Sequence, residues 1–385
     1  MDRKIYLDHA ATTPVDPRVA EAMMPFFTEC FGNPSSQHSF GRDAKETVES
    51  VRGQIALLIN ADPDEIVFTS GGTESDNFAI KGSAFANMNR GRHIITTAIE
   101  HHAVLDPCSF LERFGFETTY IPVNSNGIID PADIENAITD RTILVSVMHA
   151  NNEMGSIQPI SEISSITKKR GIPFHTDAVQ TFGHIPVDVK QLGVDMLSIS
   201  GHKIYGPKGI GVIYIKKGTK ITPFMHGGGQ ERGLRSSTLN VPGIAGLGKA
   251  AEIAASLIDT EPGRQIALRD YFIKILAENP GDLKLNGHPV QRLPNNINIS
   301  FNNTDGEYLM AGMDIAGIAC STGSACSSGG SGPSHVLHAM GLSDRMVGCS
   351  IRLTIGRSTT SKEIDTAAEI IAALVKKARA MTPNF

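Results

Sequence analysis

The sequence predicts an α/β protein whose larger part is a mostly parallel sheet covered by helices, and three observations lead there. Strand-length apolar runs rich in β-branched residues recur through the chain as far as Gly218. Helix-like segments lie between most of them, and beyond Gly218 the alternation stops, which announces a second kind of structure.

The runs are Ile66 to Thr69, His93 to Thr97, Glu117 to Pro122, Ile143 to Met148, Pro173 to Thr176, Met196 to Ser200 and Gly211 to Ile215. The helical segments are Glu74 to Met88, Ala103 to Phe114, Pro131 to Ile138 and Ile160 to Arg170. The third opens with Asp130 as N-cap and Pro131 at the first helical position. Strand and helix in alternation bring strands side by side in one direction, with helices on the faces.

After Gly218 a glycine-rich loop leads through Ser236-Ser237-Thr238 into a helix-like stretch from Pro242 to about Ile258. Strands at Asn296 to Phe301 and Ser350 to Thr354, a Gly/Ser loop at Ser321 to Gly332 and a helix from Lys362 to Met381 follow. A chain of 385 residues exceeds what one hydrophobic core organises comfortably, so two lobes are expected. The division drawn is a large domain over 14–258, and a small domain made of 1–13 together with 259–385. The first dozen residues make no layer of their own and are expected to pack on the small domain.

Composition narrows the classes of function. Hydrophobic residues make up 41% and charged residues 19%, ordinary globular values, and the formal net charge of −5 argues against a general attraction to nucleic acid. No stretch has membrane-spanning length, the start reads as neither a secretory signal nor a transit peptide, and five cysteines without a C-x-x-C pair suit a reducing compartment. The expectation is a cytoplasmic protein that engages small solutes and protein partners, without membrane or nucleic-acid binding.

Ligands of open α/β sheets bind beyond the carboxyl ends of the strands, so the residues just past each run matter most. Gly71-Gly72-Thr73 opens a helix, where backbone N–H groups and the dipole favour an anion and the Thr73 hydroxyl adds a donor: a phosphate cradle, or simply a helix cap. Asp177 ends a strand, where a carboxylate can hold a protonated ring nitrogen, or merely begin a turn. Lys203, flanked by Ser200 and His202, is placed to react with an aldehyde, although a loop lysine is more often a solvated charge. His101, His102, His149, His175 and His202 stand among groups suited to an organic phosphate rather than a metal.

The order Ser-Gly-Gly-Thr-Glu-Ser, Glu-His-His-Ala-Val, Asn-Asn-Glu, His-Thr-Asp-Ala-Val-Gln, Ser-Gly-His-Lys, Arg-Ser-Ser-Thr and Ser-Thr-Gly-Ser-Ala-Cys closely resembles the NifS/IscS-type cysteine desulfurases, over nearly the whole chain. The resemblance implies the pyridoxal-phosphate fold type I of the class-V aminotransferases, with a seven-stranded sheet, a smaller α+β domain and a homodimer sharing its active sites. It implies Lys203 as the lysine that carries pyridoxal 5'-phosphate, Asp177 as the partner of the ring nitrogen, and His101 stacked on the ring as an acid–base assistant. Asn152 and Gln180 would contact the ring hydroxyl. Gly72, Thr73, Ser200 and His202 would hold the phosphate, with Thr238 reaching in from the other subunit. Arg352 would grip the carboxylate of L-cysteine, with Asn152 beside it.

Cys326 lies in Ser324-Ala325-Cys326-Ser327-Ser328-Gly329-Gly330-Ser331-Gly332, too small and polar to build a core, and is expected on a moving loop that takes sulfur as a persulfide. Cys30, Cys108 and Cys349 read as small buried hydrophobes and Cys320 as structural. The acceptor expected is a sulfur-receiving protein such as an iron–sulfur scaffold, without docking through a long C-terminal tail. The rival readings are a selenocysteine lyase, an aminotransferase or decarboxylase on the same scaffold, and an inactive docking protein of a sulfur-transfer assembly.

Overall fold

The computed structural model describes residues 4–322 and 333–381, and Cys326 lies outside them. The strands are β1 (Ile5–Tyr6), β2 (Ile66–Thr69), β3 (His93–Thr97), β4 (Glu117–Ile121), β5 (Thr142–Ser146) and β6 (Phe174–Asp177). They continue with β7 (Met196–Ser200), β8 (Gly211–Ile215), β9 (Leu283–Leu285), β10 (Asn296–Phe301), β11 (Ile318–Ala319) and β12 (Ser350–Thr354). The seven strand-length runs expected before Gly218 are β2 to β8, within a residue or two at their ends.

Those seven form one sheet in the order β2-β8-β7-β6-β5-β3-β4. All its neighbours are parallel except β8, which runs against both β2 and β7. Every residue of β2, β3 and β5 to β8 is buried, because helices cover both faces; the edge strand β4 is half-buried or exposed except at Ile121. The expected helices are present at Gly72–Asn87, His102–Glu112, Pro131–Ala137, Ile160–Arg170 and Val241–Leu257. Asp130 caps the third as expected, accepting from Ala132 N at 2.9 Å.

Several further helices were not read from the sequence, among them Pro17–Met23, the 20-residue Ser39–Leu58, Glu261–Glu278 and Gly306–Ile315. Ser39–Leu58 buries Ala44, Val48, Val51 and Ile55, a 3/4-residue stripe, against the glycine- and alanine-rich helix Val241–Leu257. The approach is close enough that a Cβ on Gly248 would sit 2.6 Å from Val51 Cγ2. From the same helix Arg52 makes a buried pair with Glu231 at 2.7 Å, and Glu231 also accepts from Phe68 N at 2.8 Å. Removing one partner of such a pair costs about 3–5 kcal/mol, so it pins the segment that precedes Thr238 to strand β2.

A second sheet, β12-β10-β9, is wholly antiparallel and packs on Glu261–Glu278 and Ser361–Met381 through Phe272, Leu276, Ile297, Ile351 and Ile371. The amino-terminal strand β1 pairs in parallel with β11, and Ile5 and Leu7 join this second core. From that core the chain runs toward the carboxyl edge of the large sheet: Thr13 N donates to His202 O at 3.1 Å.

Candidate active site

The parallel strands aim their carboxyl ends at one cavity of about 270 Å³. Nine of the residues singled out in the sequence line it: Gly72, Thr73, His101, Asn152, Asp177, Gln180, Ser200, His202 and Lys203. A second, more open space of about 450 Å³ continues from it along Ser70 to Glu74, Ser200 and His202. The larger apolar cavity of about 500 Å³ near Phe182, Ile185 and Ala254 shares no lining residue with this site.

The cradle has room built into its backbone. Gly71 takes φ 153°, a conformation that side chains disfavour, and it caps the helix Gly72–Asn87 without supplying a side-chain acceptor to the first turn. A Cβ on Gly72 would lie 2.7 Å from Val179 Cγ2. The helix start is thus uncapped and faces Ser200 and His202, an arrangement that fits a phosphate.

Lys203 is buried on the short turn after β7, and its Nζ donates to the carbonyls of Ala10 and Ala11 at 2.6 and 2.7 Å. Gln180 Nε2 donates to the same Ala10 carbonyl at 3.1 Å, so the amino-terminal segment closes one side of the cavity. Asp177, the last residue of β6, accepts from Val179 N at 2.8 Å. Burial pushes its carboxyl up to about 6, opposed by that hydrogen bond and by the Lys203 charge.

His101 caps the helix His102–Glu112, its Nδ1 accepting from Ala103 N at 3.0 Å. Burial first, and then the Lys203 charge, hold the imidazole down to about 4, so the ring is neutral at pH 7. With Nδ1 an acceptor, the proton of the neutral ring sits on Nε2. The same cause brings His202, bonded through Nδ1 to Thr12 Oγ1 at 3.1 Å, down to about 4.

Two of the expected site residues, Arg352 and Thr238, stand outside the lining. Arg352 on β12 is completely buried beside the cavity, where Nη2 donates to Asp8 Oδ1 at 2.8 Å, Nη1 donates to the Asn152 carbonyl at 3.2 Å, and Nε is left without a partner. Thr238 is exposed and away from the lining. Cys326 lies outside the described residues, but both flanks of its segment touch the site's neighbours. Ser321 exchanges backbone hydrogen bonds with Arg352, and Ser334 Oγ donates to Glu153 Oε2, next to Asn152, at 2.5 Å.

Sequence reasoning passed over two acids. Asp8 pairs with Arg352, and Asp76 lines the cavity from the helix Gly72–Asn87. The signal for Asp76 was present, since a residue four positions after Gly72 and three after Thr73 shares their helix face. Of the five histidines weighed together, only His101 and His202 line the cavity. Among the described residues no group of three His, Cys, Asp or Glu side chains is arranged to hold a metal ion. Cys108 and Cys349 are buried as expected, whereas Cys30, at the end of the Pro25–Thr28 turn of helix, is partly exposed.

A strand-end lysine, a buried aspartate, an imidazole and an uncapped helix start around one cavity are the marks of the pyridoxal-phosphate fold type I class. The family described as Aminotransferase class-V matches residues 5–366, and the chain belongs to it. Two curated relatives, each named cysteine desulfurase IscS, come from Dictyoglomus turgidum and Methanosarcina thermophila. The first is 53% identical over 100% of this chain and 97% of its own length, the second 51% identical over 99% and 94%. Among solved structures, a NifS-like protein superposes with a TM-score of 0.92 at 40% identity, over 97% of this chain and 100% of its own. SspA in complex with cysteine gives 0.81 at 40% identity, over 92% and 99%. These likenesses place the chain with the NifS/IscS-type cysteine desulfurases.

Proposed function

We infer that the chain is a pyridoxal-phosphate-dependent cysteine desulfurase, which takes sulfur from L-cysteine, releases L-alanine and carries the sulfur as a persulfide on Cys326. The observation that supports this best is the convergence of Lys203, Asp177, His101 and the Gly72–Thr73 helix start on one cavity, in a chain with full-length relatives of that name. Pyridoxal phosphate supplies an aldehyde that links to an amine and a protonated ring that accepts electrons from the substrate's α-carbon.

The chain's own groups do the rest. The cradle of Gly72, Thr73, Ser200 and His202 would hold the phosphate, and Asp177 the ring nitrogen. His101 would set its neutral imidazole against the cofactor's ring, and Asn152 and Gln180 would contact its hydroxyl. The amine of Lys203 would move protons at the substrate carbons. Arg352 offers its unpartnered Nε toward the carboxylate, with Asn152 alongside. The Cys326 thiolate attacks the substrate sulfur, the carbon–sulfur bond breaks, and its electron pair takes up a proton to become the methyl group of alanine.

The exposed Thr238, tied back through Glu231 and Arg52, supports a homodimer in which it serves the other copy's phosphate. The resemblance to scaffold-serving desulfurases supports delivery to an acceptor protein such as an iron–sulfur scaffold. Five cysteines without a C-x-x-C pair support a cytoplasmic setting.

The test is mass spectrometry of holoenzyme exposed to excess L-cysteine, with products analysed alongside. Added sulfur on Cys326 with stoichiometric alanine is expected. Turnover without sulfur on that residue, or release of a keto acid or carbon dioxide, sinks the reading.

A further inference from the structure

Beneath the cavity lies a buried acid cluster that the mechanism above uses only in part. Asp76, Asp177 and Glu100 are each at most 7% exposed. Asp76 comes from the cradle helix, Asp177 from β6 and Glu100 from the turn after β3. The groups facing Asp76 are Asp177 and Glu100, the Ser198 hydroxyl from β7, and His175, whose Nε2 lies 3.6 Å from Asp76 Oδ1. That oxygen has no hydrogen-bond partner.

The charges do not balance if all three acids ionise. Lys203 is the one cation, among the described residues, whose field lowers the pKa of Asp177. His175 contributes no charge: its Nδ1 bonds Ser146 Oγ at 2.8 Å and its Nε2 bonds Ser198 Oγ at 3.0 Å, and burial holds it down to about 3. Glu100 accepts from Met148 N and Thr97 Oγ1 through one oxygen only, and burial pushes it up to about 8. An ionised Asp76 would be a buried anion with an orphaned oxygen between two other acids, an arrangement whose desolvation nothing offsets. As a carboxylic acid it needs only the Ser198 hydroxyl.

We propose that Asp76 is a positioning residue, held as an uncharged acid beneath the cavity so that the cluster's negative charge resides on Asp177, where the cofactor's ring nitrogen is bound. The inference rests on the reading that Asp177 faces that nitrogen. An uncharged Asp76 sits beside Asp177 without repelling it.

The predictions separate charge from shape. Asp76→Asn, which keeps the shape and the neutral donor, binds pyridoxal phosphate within about threefold of wild type and leaves the pH midpoint of its visible band in place. Asp76→Ala, folded as judged by an unchanged melting temperature, binds about tenfold more weakly and moves that midpoint. Asp177→Asn weakens binding by about a hundredfold or more. Isotope-edited infrared difference spectra of holoenzyme against Asp76→Asn show the carbonyl stretch of a protonated acid, a readout that stands even if Asp76→Ala does not fold. Carboxylate bands instead, an Asp76→Asn as damaged as Asp177→Asn, or an Asp76→Ala indistinguishable from wild type in affinity and midpoint would each overturn the proposal. Wild type that fails to bind pyridoxal phosphate overturns the functional reading itself. Wild type that binds and turns over with an ionised Asp76 overturns this inference alone.

Discussion

The floor and the side wall of the cavity are made by different rules. The floor comes from strand ends of a single parallel sheet, where Asp177 and Lys203 are placed by the backbone that precedes them by one or a few residues. The wall comes from distant pieces: Asp8 and the carbonyls of Ala10 and Ala11 near the amino terminus, and Arg352 on β12 of the second sheet, bonded across 344 positions. A floor of this kind survives drift in its surroundings, whereas the wall depends on two sheets keeping their relation. In the proposed function the groups assigned to the chemistry sit on the floor, and Arg352, assigned to the substrate carboxylate, sits on the wall.

That division predicts unequal losses. Asp177→Ala removes the counter-charge of the ring nitrogen and lowers kcat by on the order of 10³-fold, the scale of a lost acid–base or charge-stabilising group. Steady-state kinetics with saturating pyridoxal phosphate checks it, and a loss under tenfold contradicts the floor's role. Arg352→Lys exchanges a planar fork for a point charge, so it costs about 2 kcal/mol of substrate binding and raises KM for cysteine about thirtyfold with a smaller change in kcat. A kcat collapse with unchanged KM would move Arg352 from the wall to the floor.

How much was legible follows the same line. Residues just past a strand are exposed to sequence reasoning because β-branched runs announce the strand, and Asp177, Ser200 and Lys203 were found that way. Arg352 and Thr238 came only through resemblance, since nothing local says that β12 approaches the large sheet and no local pattern marks Thr238. The helix Ser39–Leu58 was missed despite its regular stripe, because its cap is His38 rather than a common capping residue and no strand precedes it. Asp76 was hidden by its position inside a helix, where an acid ordinarily means a solvated face. Burial by tertiary packing reversed that meaning.

The smallest effect expected concerns the imidazole between floor and wall. His101 is held near 4 inside the folded chain against an ordinary value near 6.5. A lowered value favours the neutral ring, so the stability it contributes is complete above pH 6.5 and is lost as pH falls from 6.5 toward 4. At pH 5 the loss from this one group is about 2 kcal/mol, and His101→Gln should shrink the difference in unfolding free energy between pH 7.5 and 5 by that amount. Nitrogen-15 NMR of the histidines in protein without cofactor reads the state directly. A ring that titrates near 4 keeps His101 with the buried floor, and one that titrates near 6.5 would place it with solvent-exposed side chains and remove the reason for its neutrality at the cofactor face.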